Sequence, residues 1–314
     1  MSASAGSATA GEWGVWDCSV RYGGEGGGRA ATALAAVSLT APRGSVTAVV
    51  GGDGAGKTTL LRMLAGRILP SPGRVAAPAP ASIGFMPSTS GVWRDLTVDE
   101  NVAFVGRAYR VDADRLAERR GALLARAGLL DAADRLGGRL SGGMRQKLGF
   151  CLAMLHEPDL LILDEPSTGV DPVSRVELWR MIAEAAAAGR SVVMSTTYLD
   201  EAERASSVLV LDAGRTLYQG EPALSSAAVP GTIVRDASLA VGRSPIGGVA
   251  PADAVGRTEA WPAGQSWRRG RQRRVWFPGP APAGLGPIEE TPDLEDATVA
   301  LTLAARSARG GGPR

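Results

Sequence analysis

The run VTAVVGGDGAGKTTL, residues 46–60, constrains this chain more than any other stretch. Five apolar or β-branched residues suit a buried strand, a glycine-rich turn follows, and KTTL opens a helix. The turn fits a phosphate-loop pattern: Gly51, four residues, then Gly56, Lys57 and Thr58. Glycine lets the backbone curl so that successive N–H groups point inward at phosphate oxygens. A helix starting near Lys57 adds its positive N-terminal end. Lys57 can reach the β- and γ-phosphates, and the Thr58 hydroxyl is placed to ligate Mg²⁺. Gly51, Gly52, Asp53, Gly54, Ala55, Gly56, Lys57, Thr58 and Thr59 are therefore the expected cradle of a nucleoside triphosphate. The bland alternative is a glycine-rich surface loop, and the strand before it and helix after it weigh against that.

At 314 residues the chain can bury a full core and still carry a second, smaller unit. A formal net charge of +2 gives no strong electrostatic preference, so no nucleic-acid partner is expected. Lys57 and Lys147 are the only lysines, which leaves Lys57 conspicuous. Cys18 and Cys151 lack a metal-ligand spacing, and Cys151 falls in an apolar helical pattern as a small buried hydrophobe. A reducing compartment follows by default. Residues 1–10 contain no hydrophobic region, so no secretory signal is expected there. No run of 18 apolar residues occurs, so any membrane crossing falls to another chain.

Residues 1–11 read as a disordered start. Strands are expected over 12–22 and 32–40, with a flexible glycine-rich loop at 23–29 between them. The helix after the phosphate loop should end near Gly66, and 70–82 reads as a Pro/Ala-rich connection before a strand at 83–86. Residues 99–135 read as helical, with breaks near Gly121 and Gly128. Apolar runs at 160–163, 192–194 and 208–211 have the length of buried parallel strands, with a helix around 172–188. This alternation implies an α/β domain with a largely parallel sheet. Beyond residue 220 the composition turns rich in Pro, Gly, Ala and Ser, with strand candidates at 232–234 and 274–277 and a closing helix at 294–305. That makes 221–306 a small accessory domain of α+β type and 307–314 a disordered tail.

Two further motifs carry chemistry. In LSGGMRQKL, residues 140–148, Ser141, Gly142 and Gly143 stand at a helix N-terminus where small residues expose N–H groups. Met144, Leu148, Cys151, Leu152 and Leu155 recur at helical spacing as its core face. This is a second phosphate-binding end, and the first loop already owns a helix N-terminus. In LLILDEPSTGVDP, residues 160–172, a buried strand delivers two adjacent carboxylates, which is costly unless cations or water oppose them. Asp164 is placed to hold Mg²⁺ through water, and Glu165 to polarise the attacking water.

The glycine-rich loop, LSGGM and LLILDEP, in this order, resemble the ATPase domain of ABC transporters over about residues 12–220. The resemblance implies a P-loop ATPase fold with a mostly parallel RecA-like core, an antiparallel β subdomain and a helical subdomain at about 95–157. It also implies ATP with Mg²⁺ and a head-to-tail dimer. In such a dimer each ATP lies between one phosphate loop and the LSGGM of a second ABC ATPase domain, which accounts for the surplus phosphate end. Tyr22 matches the family's adenine-stacking aromatic, a contact worth about 1 kcal/mol. Asp171 matches the loop that crosses the dimer interface.

Two positions depart from the family pattern. After IGFMP the family carries Gln, and here stands Ser88; after SVVMST it carries His, and here stands Thr197. Loss of one pre-organised donor to a transition state costs on the order of 100–1000-fold in rate. Two such losses imply a site that binds MgATP but turns over slowly, with Glu165 still present. GGDGAGKTTLLRMLAG, WRDLTVDENV, STTYLDEAER, LYQGEP and EETPDLEDA further resemble the first half of tandem ATPase subunits of bacterial ABC-2-type drug exporters. That implies an ABC-2-type membrane permease as partner and a cytoplasmic protein peripheral to the inner face of the membrane. A soluble ABC protein serving a non-membrane partner, and a non-hydrolytic regulatory subunit, remain open alternatives.

Three features stand outside the motifs. WPAGQSWRRGRQRRVWF, residues 261–277, combines five Arg with three Trp and reads either as an anion-binding surface or as a hairpin with Trp276 and Phe277 in a small core. Trp93 reads either as a docking anchor, since the resemblance implies that this region receives a helix of the membrane subunit, or as a core-packing residue. His156, the single histidine, is expected to be structural or solvent-facing.

Overall fold

A computed structural model describes residues 13–23, 31–236, 265–269, 272–280 and 292–309. The expected disordered start, the glycine-rich loop over 24–29 and the tail from 310 lie outside the described residues. The chain divides into two compact units after Gln219.

In chain order the first unit begins with β1 (Trp13–Tyr22), β2 (Ala31–Ala41), β3 (Val46–Val50), α1 (Lys57–Leu64), β4 (Arg74–Ala76) and β5 (Ile83–Met86). Helices α2 (Val98–Ala108), α3 (Ala113–Ala127) and α4 (Gly142–Met154) follow. It continues with β6 (Leu160–Asp164), α5 (Pro172–Ala187), β7 (Ser191–Thr196), α6 (Leu199–Ala202), β8 (Ser207–Asp212) and β9 (Arg215–Gly220).

The strands β3, β6 and β7 are buried along their whole length, as expected for a parallel sheet covered on both faces. They lie in a six-stranded sheet ordered β5-β6-β7-β3-β8-β9, in which the pairs from β5 to β8 are parallel. β2, β1 and β4 form a separate antiparallel sheet. Between these two sheets, Leu60, Leu61 and Leu64 of α1 share one core with Val49, Ile162 and Val193 on one side and Val15, Leu34 and Leu39 on the other. The glycine-rich loop is therefore held at both ends by packed elements.

The helical stretch departs from its sequence reading in two places. The break falls at 109–112, where Asp112 caps α3 by accepting from the Asp114 and Arg115 amides, and not at Gly121, which lies inside α3. Gly128, left-handed at φ 65°, does terminate that helix. Helix α4 is buried around its circumference, Gln146 and Lys147 included, whereas Met144 is only half-buried. The 70–82 connection also contains a strand the sequence did not suggest: β4, whose Val75 pairs with Val15.

The second unit contains β10 (Thr232–Asp236), β11 (Ser266–Arg269), β12 (Gln272–Phe277) and α7 (Leu294–Ala308) among its described residues. β12 runs between β10 and β11, antiparallel to both. Trp267, Ile233 and Trp276 face Ala300 and Leu303 of α7. Arg269 pairs with Asp293, Glu295 and Asp296, and the buried Arg274 lies 3.6 Å from Asp296. These tryptophans and arginines are internal partners of α7, which favours the hairpin reading.

Asn101, fully buried on α2, holds the loop that carries Trp93. Its amide donates to the carbonyls of Trp93, Leu96 and Thr97, and its oxygen accepts from the Trp93 amide. Replacing it by Ala strands several buried groups, each costing about 1–3 kcal/mol. Asn101→Ala is expected to lose at least ~2 kcal/mol of unfolding free energy in urea titration.

Candidate nucleotide site

Strand register brings the motif residues to one level. Asp164 pairs with Ser195, and Val50 pairs with Thr196, so β3, β6 and β7 end together at the carboxyl edge of the sheet. The glycine loop leaves β3 at this edge and enters α1 through Gly56, left-handed at φ 107°. A Cβ there would stand 2.7 Å from the Ala33 carbonyl oxygen, so glycine is required by both conformation and space. Residues 53–59 with Ala33 and Glu165 line a cavity of about 220 Å³.

Lys57, buried to 6 % exposure, donates through Nζ to the carbonyls of Gly51 (2.8 Å) and Gly52 (3.2 Å) and stands 3.5 Å from Glu165 Oε1. The Thr58 hydroxyl donates to Asp164 at 3.0 Å, and the Ser195 hydroxyl donates to the same carboxylate at 2.7 Å. Ser195 Oγ in turn accepts the Glu165 amide at 2.9 Å. Glu165 has a left-handed backbone, φ 49°, a conformation costing ~1–3 kcal/mol for a non-glycine residue. Thr168 steadies it, donating from its hydroxyl to Glu165 Oε2 at 3.2 Å.

Mg²⁺ fits this arrangement. Thr58 Oγ1 and the Asp164 carboxylate converge as two hard oxygen donors. A few-ligand site suits a cation that keeps its waters and takes its remaining oxygens from phosphate. Tyr22, 47 % exposed, holds its hydroxyl 3.3 Å from Thr59 Oγ1, leaving its ring at the rim of the loop.

Ser141, Gly142, Gly143 and Asp171 do not line this cavity; they form a second cluster. Ser141 caps α4 by accepting the Met144 amide at 3.2 Å. Gly143 lies against the Ser174 side chain so closely that any Cβ would collide with it. Asp171 caps α5, accepting the Val173 (3.1 Å) and Ser174 (3.0 Å) amides, and these bonds, Ser174 first, hold its carboxyl below the usual range. The two helix starts thus abut within one chain, away from the phosphate loop's cavity.

Ser88 and Thr197 are both exposed. Sequence reasoning passed over the groups behind Thr197. Glu201, 2 % exposed, accepts the hydroxyls of Thr196 (2.8 Å) and Ser167 (2.9 Å). The signal was present: an acid four residues past Thr197 follows a strand end rich in hydroxyls. His156 stacks on Tyr109 at 3.6 Å, with Nε2 3.1 Å from the Ile83 carbonyl oxygen, and burial lowers its pKa. Burial pushes the Cys151 thiol up to about 12. Both are structural.

Residues 34–168 match the family model described as ABC transporter. A probable multidrug ABC transporter ATP-binding protein, YbhF of Escherichia coli strain K12, is 44 % identical over 200 residues, 60 % of this chain and 35 % of that protein. Nod factor export ATP-binding protein I of Ralstonia nicotianae is 35 % identical over 202 residues, 61 % of this chain and 63 % of its own. Daunorubicin resistance ATP-binding protein DrrA3 of Streptomyces coeruleorubidus is 35 % identical over 199 residues, covering 60 % and 63 %. The chain thus spans about a third of the first relative and under two thirds of the others. Among solved structures, an ATP-binding subunit of an ABC transporter superposes with TM-score 0.60 at 28 % identity, over 68 % of this chain and 91 % of that one. The cassette MJ0796 bound to ADP and Pi shares the fold, with TM-score 0.61 at 21 % identity over 66 % and 97 %.

Burial raises the Glu201 pKa above the ordinary 4.5, against the Ser167 and Thr196 bonds and Arg175. The folded state therefore holds this proton more tightly than the unfolded chain, and stability drains away as pH rises from about 4.5 through the raised value. Glu201→Gln lacks this dependence. Wild-type stability relative to Glu201→Gln should decline as pH rises above about 4.5 in parallel chemical denaturation.

Proposed function

Because residues 34–168 match the family model described as ABC transporter, we propose that this chain is the ATP-binding subunit of an ABC-2-type exporter. It binds MgATP at a head-to-tail seam with a second ABC ATPase domain and drives efflux of a drug-like or lipid-like substrate. The observation that carries this reading is the division of phosphate-facing groups. Residues 53–59 and Glu165 share a cavity, while Ser141, Gly142 and Gly143, free of it, begin a separate helix beside Asp171. The names of these relatives, multidrug, Nod factor export and daunorubicin resistance proteins, support the exporter class.

In this reading the loop amides and the α1 N-terminus receive the triphosphate, and Lys57 exchanges the Gly51 and Gly52 carbonyls for phosphate oxygens. Thr58 and Asp164 would hold Mg²⁺, whose charge would supply neutralisation of the developing phosphate charge. Glu165, released from Lys57, orients the attacking water and takes its proton. Ser141, Gly142 and Gly143 complete the partner's site. With Ser88 and Thr197 in place of amide and imidazole donors, this chain's own site turns over slowly. The same two residues favour a second reading, a regulatory subunit that binds ATP without hydrolysing it.

No helix among the described residues is long and apolar enough to cross a membrane. The permease partner docks near Trp93, which is 45 % exposed, packs against Phe104 at 4.4 Å and lines a cavity of about 260 Å³ with Phe85 and Tyr109. The subunit is thereby peripheral to the inner face of the membrane.

The purified chain should bind MgATP, and Lys57→Ala should abolish binding in nucleotide titration. Ser88→Gln combined with Thr197→His should raise turnover by about 100-fold or more. Robust hydrolysis by the unmodified chain alone, lost in Glu165→Gln, contradicts the slow site. Trp93→Ala should leave MgATP binding intact and weaken co-purification with the permease.

A further inference from the structure

We propose that Glu201 is a positioning residue for ATP turnover: it ties the turn after Glu165 to the loop that presents Thr197, fixing the two edges of the γ-phosphate end of the site. The proposal rests on the ATP-binding reading above. Glu201 lies on α6, and neither it, Ser167 nor Thr196 lines the nucleotide cavity, so it acts through other residues.

Its Oε2 accepts two buried hydroxyls at once, from Ser167 at 2.9 Å and from Thr196 at 2.8 Å. Thr196 Oγ1 also accepts the Tyr198 amide at 3.0 Å, so the backbone on both sides of Thr197 hangs on this one carboxylate. Ser167 stands two residues past Glu165 in the turn where the Thr168 amide closes on the Glu165 carbonyl at 3.2 Å. Arg175 of α5 fastens the same loop from the third side. It bonds Asp200 at 3.0 Å, lies 3.9 Å from Glu201 Oε1 and stacks 4.5 Å above the Tyr198 ring.

A carboxylate at this depth is expensive to bury, and an apolar side chain would serve simple packing better. What a carboxylate adds is acceptance of two hydroxyls from different strand ends, with a guanidinium beside it. Position 197 is thus held in a defined place even though its residue has changed from the family's histidine.

The test uses the full chain and its Thr197→His variant, each carrying Glu201, Glu201→Ala or Glu201→Gln. MgATP affinity, single-turnover hydrolysis and amide exchange at Thr168 and Tyr198 are measured together. A misplaced reacting group costs on the order of 10–100-fold, so Glu201→Ala should slow the chemical step by that factor with MgATP affinity within about twofold. Glu201→Gln, whose amide oxygen still accepts both hydroxyls, should restore most of the rate. Exchange at both amides should accelerate together in the alanine variant alone. An unchanged rate in Glu201→Ala, or a glutamine variant as slow as alanine, overturns the proposal. So does unchanged amide exchange, even in a chain that hydrolyses nothing. Failure of the Glu201 chain to bind MgATP at all would instead overturn the functional reading.

Discussion

The buried carboxylate of Asp164 is the interaction on which the nucleotide site depends. It is 3 % exposed at the end of an all-apolar strand, where an unpaired charge would not survive. Two hydroxyls from opposite directions relieve it, Thr58 from the first turn of α1 and Ser195 from β7. Satisfying this one group therefore fixes the helix after the phosphate loop against the neighbouring strand. Ser195 extends the constraint by accepting the Glu165 amide, so Asp164 and Glu165 are both set by the same hydroxyl. The left-handed backbone of Glu165 persists because its amide, carbonyl and carboxylate are each engaged, by Ser195, Thr168 and Lys57.

The two helix N-termini make different use of similar physics. α1 offers its first turn into a cavity beside Glu165, with a lysine already folded over the loop carbonyls. α4 offers its own against Asp171 and Ser174, where glycine permits the approach. A helix N-terminus attracts phosphate, and these two share no cavity within this chain. Under the proposed seam, Ser88 and Thr197 bear on one site and Ser141, Gly142 and Gly143 on the other.

Most of this was legible in the sequence because its signals are local. A glycine-rich turn between strand and helix, two acids ending an apolar run, and a small-residue helix start each announce themselves within a dozen residues. What escaped depends on contacts between distant segments. β4 is three residues long and exists through pairing with β1. Gly121 was read as a break because glycine is a poor helix former, yet α3 runs past it; one residue's propensity did not outweigh the rest of the helix. Helix α4 looked amphipathic from spacing, but Lys147 is buried through Glu177, 2.8 Å away on α5. Ser195 was passed over because a serine in an apolar run carries no signal until register sets it beside Asp164, and the hydroxyl-rich strand end before Glu201 names no partner until the fold brings Ser167 to it.

The second unit shows the same limit from the side of composition. Five arginines and three tryptophans in seventeen residues read as a surface for anions or stacked bases. Yet cross-strand pairing sets Trp267 beside Arg274 on a strand pair whose partner is α7. Asp296, 1 % exposed, then accepts the Trp267 indole at 3.1 Å and stands opposite both Arg269 and Arg274. An ion pair this deep contributes little net stability, because desolvation offsets attraction. Its consequence is geometric: the acidic N-terminus of α7 sets Asp293, Glu295 and Asp296 against Arg269, with Arg274 3.6 Å from Asp296. Two of the charges that suggested an outward contact, Arg269 and Arg274, are turned instead toward the acidic start of one helix.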